Sequence, residues 1–321
     1  GGTNVAVGAL SASTLTTGEL NVAIGYQALS GATTEADGNT AVGYQSMDGD
    51  WTTAAHVNSV AIGRGTMRGV LTSTSSGSVA VGLSALAALT TGGRNTAVGY
   101  LAATSLVEGS YNTVLGYEAF DAGQEDSSCV AIGAYALTAA DVSDTGSAVN
   151  TFNTGVGYNA GGGVTTGLNN TLVGGLAGDG MQTADDCVAI GKSSLSGVAT
   201  QDGTVAIGAS ALTALTSGAG NVAVGYLAGD GLTDGGNNVL IGHSANSAGG
   251  ASASQNIGIG VNALLNATGS NNVAIGYASG DLITSGGTNT LIGTSTDPSA
   301  NSGANQTVIG YGAVGVGDNT V

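Results

Sequence analysis

Large side chains are scarce in this sequence. Its 321 residues include two Phe, one Trp and three Met, whereas 59 are Gly. Large apolar side chains fill the thick core of an ordinary globular domain, so this composition argues against such a core. Hydrophobic residues still make up 42% of the chain, which is too many for a disordered glycine-rich linker. We therefore expect a thin core made of small side chains.

Positive charge is almost missing as well. The basic residues are Arg64, Arg68, Arg94 and Lys192, against 21 acidic residues, and the net charge is −17. So few cations cannot neutralise a row of phosphates, which argues against nucleic acid or an anionic membrane as the partner. The acidic residues are scattered, and this pattern favours a role in solubility over an acidic binding surface.

The sequence has no apolar run of about 18 residues and no basic start followed by an apolar segment, so neither a membrane span nor a leader is predicted. Gly1-Gly2-Thr3-Asn4 already belongs to the repeat described next. We expect the chain to be a piece of something longer or a processed product.

A short phrase ending in glycine recurs from one end of the chain to the other. Its copies lie 16 to 24 residues apart, most often 17, which is the signature of a stacked repeat protein. The closing glycines of the 18 copies are Gly8, Gly25, Gly43, Gly63, Gly82, Gly99, Gly116, Gly133, Gly157, Gly174, Gly191, Gly208, Gly225, Gly242, Gly260, Gly276, Gly293 and Gly310.

The three residues before the closing glycine read as a strand. In the copy that ends at Gly25, side-chain alternation puts Val22 and Ile24 on one face and Ala23, with the glycine, on the other. We expect the branched aliphatic pair to form the core. A face with almost no side chain suggests that another backbone comes close, and we expect copies of the molecule to cover that alanine and glycine face.

Asparagine stands four places before the glycine in 12 of the 18 copies. In stacked coils these amides are expected to form a structural ladder that includes Asn4, Asn21, Asn39, Asn95, Asn112, Asn221 and Asn272. A preceding glycine, such as Gly38, is expected to have positive φ. Roles for these asparagines as glycan sites or metal ligands are the weaker alternative.

The residues after the glycine predict a second short strand. Tyrosine follows directly in eight copies, and then come a small residue and often leucine, as in Tyr26, Ala28 and Leu29. The tyrosine row is interpreted as rings packing coil on coil, with a sugar-stacking platform as the alternative. Threonine, serine, glycine, alanine and aspartate supply the remaining loops.

These features predict an all-β fold, a parallel β-solenoid of about 18 coils with two short strands in each coil. A triangular coil is disfavoured because its six-residue register finds Ser30 and Ala36 where aliphatic residues are needed. Residues 1–321 form a single repeat domain with enlarged coils near 44–63 and 134–157. At 4.8 Å for each coil, the rod would be on the order of 85 Å long.

The phrase Asn58-Ser59-Val60-Ala61-Ile62-Gly63 resembles the head repeat of YadA-like trimeric autotransporter adhesins. The variants at residues 39–44 and 95–100 look like repeats of bacteriophage tail fibres. The resemblance spans the chain and implies a left-handed β-roll, a homotrimer and a role in attachment. Head repeats of that family are a few residues shorter, and no neck, coiled coil or anchor is visible in this sequence.

Chemically reactive residues are few. Cys129 and Cys187 both occupy the asparagine position, three coils or about 14 Å apart, and should stay unpaired within one chain because a disulfide needs a much closer approach. His243 stands in the tyrosine position and is expected to be structural.

One enlarged coil combines several polar and aromatic residues. Asp48, Asp50, Trp51 and His56 are candidate receptor contacts, with Trp51 as a ring for stacking on a glycan and the acids as hydrogen-bond acceptors. An ordinary exposed loop is the competing interpretation. The second enlarged coil, which carries Asp141, Asp144 and Phe152, is the other candidate.

No sequence motif of a hydrolase, metalloprotease, redox protein or nucleotide-binding loop is found, so we expect no enzyme activity, no cofactor and no metal. Paired carboxylates for glycoside hydrolysis remain an open alternative, since residues on different loops cannot be paired from sequence.

The leading hypothesis is a non-enzymatic extracellular fibre, a homotrimeric shaft or head on a virion or bacterial surface that contacts a host glycan or protein. The alternative is a structural extracellular filament whose subunits stack end to end without a receptor. An ice-binding or mineral-binding array is disfavoured, because the threonines three places before the glycine, such as Thr40 and Thr96, are interspersed with valines.

Overall fold

The computed structural model describes residues 2–32, 35–50, 55–141 and 149–321. They form an all-β parallel β-solenoid of about 18 coils. The chain divides into two compact units, Gly1–Thr166 and Gly167–Val321. The same coil pattern, one strand followed by turns, is found within each unit.

Among its described residues, the first unit has nine three-residue strands, one before each closing glycine, and two strands of two residues. The nine are Val5–Val7, Val22–Ile24, Thr40–Val42, Val60–Ile62, Val79–Val81, Thr96–Val98, Thr113–Leu115, Val130–Ile132 and Thr154–Val156. Asp126–Ser127 pairs in parallel with Val149–Asn150 as a separate two-stranded sheet. A 3-10 turn occupies Ser73–Ser75.

The second unit repeats the arrangement with nine strands of its own. These are Thr171–Val173, Val188–Ile190, Val205–Ile207, Val222–Val224, Val239–Ile241, Ile257–Ile259, Val273–Ile275, Thr290–Ile292 and Thr307–Ile309. No helix in the described part of the chain has the length and hydrophobicity needed to cross a membrane.

Strands pair in parallel with the next coil, and the repeat sets the register. Val22, Ala23 and Ile24 face Thr40, Ala41 and Val42, so each position of the phrase stacks on the same position of its neighbour. The second unit shows the same register, for example between Val188–Ile190 and Val205–Ile207. Each row of equivalent residues therefore runs along its unit as a continuous column.

The two faces of the strand are the reverse of the sequence prediction. Ala23 is 1% exposed, whereas Ile24 is 39% exposed, and the middle residue is the buried one in each three-residue strand from Val22–Ile24 to Thr307–Ile309. The alanine face is therefore inside the solenoid and the aliphatic pair points outward. The prediction of an aliphatic core and an outward alanine face was wrong, because alternation places residues on two faces without saying which face is inside.

The segment after the closing glycine is a series of turns, not the second strand predicted. In the coil that follows Gly25, Gln27 and Leu29 have φ of 54° and 56°, which is outside the β region. Their N–H groups donate to Ala9 O and Ser46 O, at 3.0 and 2.9 Å, and so bind the preceding and the following coil. The coil is closed by turns that hydrogen-bond between coils without extended backbone.

The alanine face can lie inside the coil because the turn segment after the glycine carries the large residues of the core. Ala28 and Leu29 are both fully buried, and Leu86, Phe120 and Leu212 occupy the equivalent position of Leu29 in other coils. An inward alanine leaves the space that such a leucine fills. The solenoid therefore has a thin core, as the composition predicts, and in coils such as that of Leu29 a small residue on the strand faces a large residue on the turn.

The closing glycine is required by close contact between coils. Gly25 has φ of 134°, and a Cβ there would lie 2.4 Å from the carbonyl oxygen of Gly43 in the next coil. The predicted approach of another backbone is confirmed, but the backbone belongs to the same chain. The positive φ expected at Gly38 is also confirmed, at 68°.

Candidate interaction surface

An apolar sheet face lies on the outside of each unit. We define the aliphatic face as the first and third residues of the three-residue strands, which are Val, Ile, Leu or Thr in all 18 copies and never charged. In the first unit its exposed members include Val7, Ile24, Ile62 and Leu115. In the second unit they include Ile190, Ile241, Ile275, Ile292 and Ile309.

The dimensions of this face can be estimated from strand geometry. Nine strands about 4.8 Å apart, each three residues or roughly 10 Å long, make a strip on the order of 400 Å² in each unit. The largest contiguous apolar patch of a typical monomeric protein measures about 300–600 Å² and is often functional. The strip is therefore the strongest candidate for an interaction surface.

The asparagine ladder supports the strand from the start of each coil. Asn21 N–H donates to Asn4 Oδ1 at 2.8 Å, and Asn39 N–H donates to Asn21 Oδ1 at 2.9 Å. The same bond joins Asn112 to Asn95 and, in the second unit, Asn272 to Asn256. Amide-to-amide bonds also occur, as from Asn238 Nδ2 to Asn221 Oδ1 at 2.9 Å.

The side-chain nitrogen of each ladder residue has a second partner. Asn39 Nδ2 donates to His56 O at 2.8 Å, and Asn95 Nδ2 donates to Gly109 O at the same distance. Asn39, Asn95 and Asn221 are buried. The ladder therefore satisfies backbone groups of neighbouring coils, and the amides of its buried members are not available to a surface ligand.

Tyrosines form an exposed column beside the aliphatic face, past the bend at the glycine. In the first unit the rings of Tyr26 and Tyr44 stack with centroids 5.4 Å apart, and those of Tyr100 and Tyr117 stack at 5.1 Å. Stacking covers the ring faces, which a sugar would need for a platform, and leaves the hydroxyl edges in solvent. In the second unit His243 lies against Tyr226 with centroids 5.3 Å apart.

The candidate receptor contacts in the first enlarged coil do not all reach the surface. Asp50 is exposed, and Asp48 binds Arg68, with Oδ1 and Nε 3.0 Å apart. Trp51 lies outside the described residues. His56 is fully buried, so its assignment as a surface contact has to be corrected.

His56 is part of the polar interior of its coil. Its Nδ1 lies 3.0 Å from Ser75 Oγ and 3.2 Å from Thr72 O. Burial lowers the pKa of His56 to about 4, because the charged ring would lose its hydration, although the hydrogen bond to Thr72 opposes this. The ring is therefore neutral at pH 7 and structural.

In the second enlarged coil, Phe152 is exposed and Asp141 lies at the edge of the described part, while Asp144 is outside it. Among the described residues, no group of three or more His, Cys, Asp or Glu side chains is arranged to hold a metal ion. Burial raises the pKa of Asp297, which accepts a hydrogen bond from Leu282 N–H at 3.3 Å.

Both cysteines are free and buried at the ladder position. Burial raises the pKa of Cys129 to about 12 and also raises the pKa of Cys187. Raising the pKa of a thiol lowers its thiolate fraction at neutral pH, and buried thiols of this kind are generally structural. They fill the ladder in place of asparagine, and the N–H of each still donates to the preceding asparagine.

The aliphatic face is the candidate interaction surface, and the sequence analysis assigned it to the core. The signal that could have located it is the leucine, methionine or phenylalanine four places after the glycine, as in Leu29, Met47 and Phe120. Such a residue needs a small partner across a thin coil, and only the alanine face of the strand provides one.

No protein-family model matches the chain, and no match is found among curated proteins. The resemblance to adhesin heads and tail fibres therefore remains a prediction from the residues of the repeat.

Proposed function

We propose that this chain is part of a non-enzymatic extracellular fibre, a homotrimeric β-roll shaft or head that attaches to a host or another surface. The observation that carries the proposal is the aliphatic face, a long uncharged strip on the outside of an otherwise acidic protein. Copies of the chain would cover this strip, which reverses the face that the sequence interpretation assigned to the contact.

Association around a rotation axis fits the shape of the strip. A flat face that runs along a unit can be buried against the same face of sister chains, and closed cyclic symmetry leaves no copy with its apolar strip in water. The number of chains in the assembly, three, and the left-handed winding of the solenoid come from the resemblance of the repeat to adhesin heads. Both belong to the proposal.

The chemistry of the surface outside the strip supports attachment through a glycan or protein partner. With four basic residues in the chain, a nucleic acid or an anionic membrane would be repelled. Asp48, Asp50 and Trp51 stay candidate receptor contacts. A virion or a bacterial cell surface is the expected location.

Charge substitutions on the aliphatic face test the assembly. Ile62 and Leu115 are 40% and 48% exposed in the single chain, so Ile62→Lys with Leu115→Lys should leave the coil folded. Lysines buried between sister chains would be desolvated without partners, and we expect light scattering to show dissociation to monomers. Val70→Lys is the matched control, because Val70 is 54% exposed and lies outside the strands.

Attachment is tested separately with a glycan array and with whole cells as targets. The expected result is that the assembled protein binds a target, and that Trp51→Ala weakens this binding while the trimer persists.

For the assembly test, an unchanged mass of the Ile62→Lys and Leu115→Lys variant would contradict the role of the aliphatic face. Length-heterogeneous polymers, without binding to any target, would favour the structural filament instead.

A further inference from the structure

The tyrosine column of the first unit brings pairs of phenols together at regular positions. Tyr100 and Tyr117 are 17 residues apart and stand at the same position of neighbouring coils, with ring planes 7° apart. The rings are 44% and 45% exposed. The Glu118 N–H donates to Tyr100 O at 2.9 Å, so the backbone holds the two tyrosines in register.

We propose that Tyr100 and Tyr117 are a site of oxidative coupling, at which a peroxidase-type one-electron oxidant joins two neighbouring coils through a dityrosine bond. Stacked phenols with exposed edges are reachable by an oxidant, and a radical formed on one ring meets the other before it can diffuse to another chain. Exposed side chains change rotamer within nanoseconds, which lets the rings tilt until two carbon atoms meet.

The balance of the step is as follows. Each phenol loses one electron and the proton of its hydroxyl group, and the two radicals join by a carbon–carbon bond between the ring carbons next to the oxygens. The hydrogens on those carbons then move to the oxygens and restore both phenols. Two electrons and two protons leave in total, and one molecule of hydrogen peroxide accepts both electrons and both protons to give two molecules of water.

The surroundings favour this pair over the other stacked pair. The hydrogen bond with Glu118 raises the pKa of Tyr117 to about 12. The Glu118 carboxylate can take up the proton that leaves when Tyr117 is oxidised. By contrast, the Arg64 guanidinium lies 5.7 Å from the centre of the Tyr44 ring. A cation over a ring disfavours removal of an electron from it, so Tyr26 and Tyr44 should couple more slowly.

The inference does not depend on the number of chains in the assembly. The test exposes the whole protein to horseradish-type peroxidase with limiting hydrogen peroxide and then measures the intact mass. We expect dityrosine fluorescence and a chain that is lighter by two hydrogen atoms and still runs as a single chain on a denaturing gel. A protease specific for glutamate cuts after Glu108, so coupling should leave the Tyr100 and Tyr117 peptides linked.

Tyr100→Phe should lose the peptide that links Tyr100 to Tyr117. The linked peptide is the readout that decides, because the Tyr135 ring lies edge-on to Tyr117 at 5.5 Å and could supply fluorescence of its own. Tyr277→Phe is the matched control, since Tyr277 is exposed but Val261 and Thr294 occupy its position in the neighbouring coils. We expect this variant to couple like the unmodified protein. Coupling only between chains, equal coupling at all tyrosines, or no coupling in the unmodified protein would overturn the proposal.

Discussion

A buried ladder asparagine connects three parts of the backbone. Asn112 N–H donates to Asn95 Oδ1, its own Oδ1 accepts from Cys129 N–H at 2.9 Å, and its Nδ2 donates to Asp126 O at 2.8 Å. Such a residue is valuable because a buried backbone group without a partner costs about 1–3 kcal/mol. The side chain makes the polar interior of one coil depend on the next.

Asn112→Ala should therefore be strongly destabilising. The change leaves the Cys129 N–H and the Asp126 carbonyl without their partners, and we expect the free energy of unfolding to fall by at least about 2 kcal/mol. Chemical denaturation measures the difference. Asn112→Ser is the matched comparison, because Ser59 Oγ accepts from Ser78 N–H at 3.2 Å in the same ladder, and it should cost less. Equal stability of all three proteins would contradict this role.

His56 makes the stability of the protein depend on pH. Its folded pKa of about 4 lies below the ordinary 6.5, so the unfolded chain binds the proton first as the pH falls. The contribution of neutral His56 is present above pH 6.5 and is lost between 6.5 and about 4, and it amounts to about 3 kcal/mol.

Unfolding curves of the unmodified protein and of His56→Asn, measured across pH, separate the titration of His56 from the titration of the aspartates. Asparagine places a polar nitrogen near the position of Nδ1 but does not titrate. We expect the stability of the unmodified protein to fall by about 3 kcal/mol more than that of the variant between pH 7 and pH 4. His243→Asn serves as the control, and parallel curves for the unmodified protein and His56→Asn would rule the effect out.

At the scale of the coil, the strand and the turn share one volume. Where the inward strand position is Leu172, the turn has Gly178, whose Cβ would lie only 2.8 Å from Leu172 Cδ2. Other coils reverse this, with an inward Ala206 on the strand and Leu212 on the turn. Between these two coils the large residue moves from the strand to the turn.

Exchange of the two residues in one coil tests this complementarity. Leu172→Ala alone leaves a cavity and should cost about 2–5 kcal/mol. Gly178→Leu alone overpacks the coil and should cost about 1–3 kcal/mol. Because the equivalent Leu29 and Leu212 already adopt positive φ, the double variant should recover part of both losses. Denaturation of all four proteins gives the coupling, and strict additivity would contradict shared packing.

The sequence predicts a good deal at this scale and fails in one respect. The 17-residue period and the alternation at Val22, Ala23 and Ile24 give the strands and their register. The inside of the coil was assigned to the wrong face, because a strand of three residues has too few positions to show which side is buried. The second strand was also wrong, since nothing in the residue types at Gln27 and Leu29 signals their positive φ.

For the whole molecule, an outward aliphatic face makes association between chains more important than an outward alanine face would. If the alanine face were outside, small side chains alone would meet the solvent and a single chain could tolerate it. With the aliphatic face outside, branched side chains such as Ile24 and Ile275 line the surface of each unit. The candidate receptor residues could be named from the sequence, but the burial of His56 could not, because it depends on contacts with Ser75 and Thr72 in the next coil.

Native mass spectrometry of the unmodified protein tests the central claim most directly, namely that sister chains cover the aliphatic face. The chain has a mass of 30.4 kDa. We predict that the dominant species at micromolar concentration contains three chains and dissociates only when the protein is denatured. A dominant species with the mass of one chain, stable and soluble with its aliphatic face in water, would contradict the account.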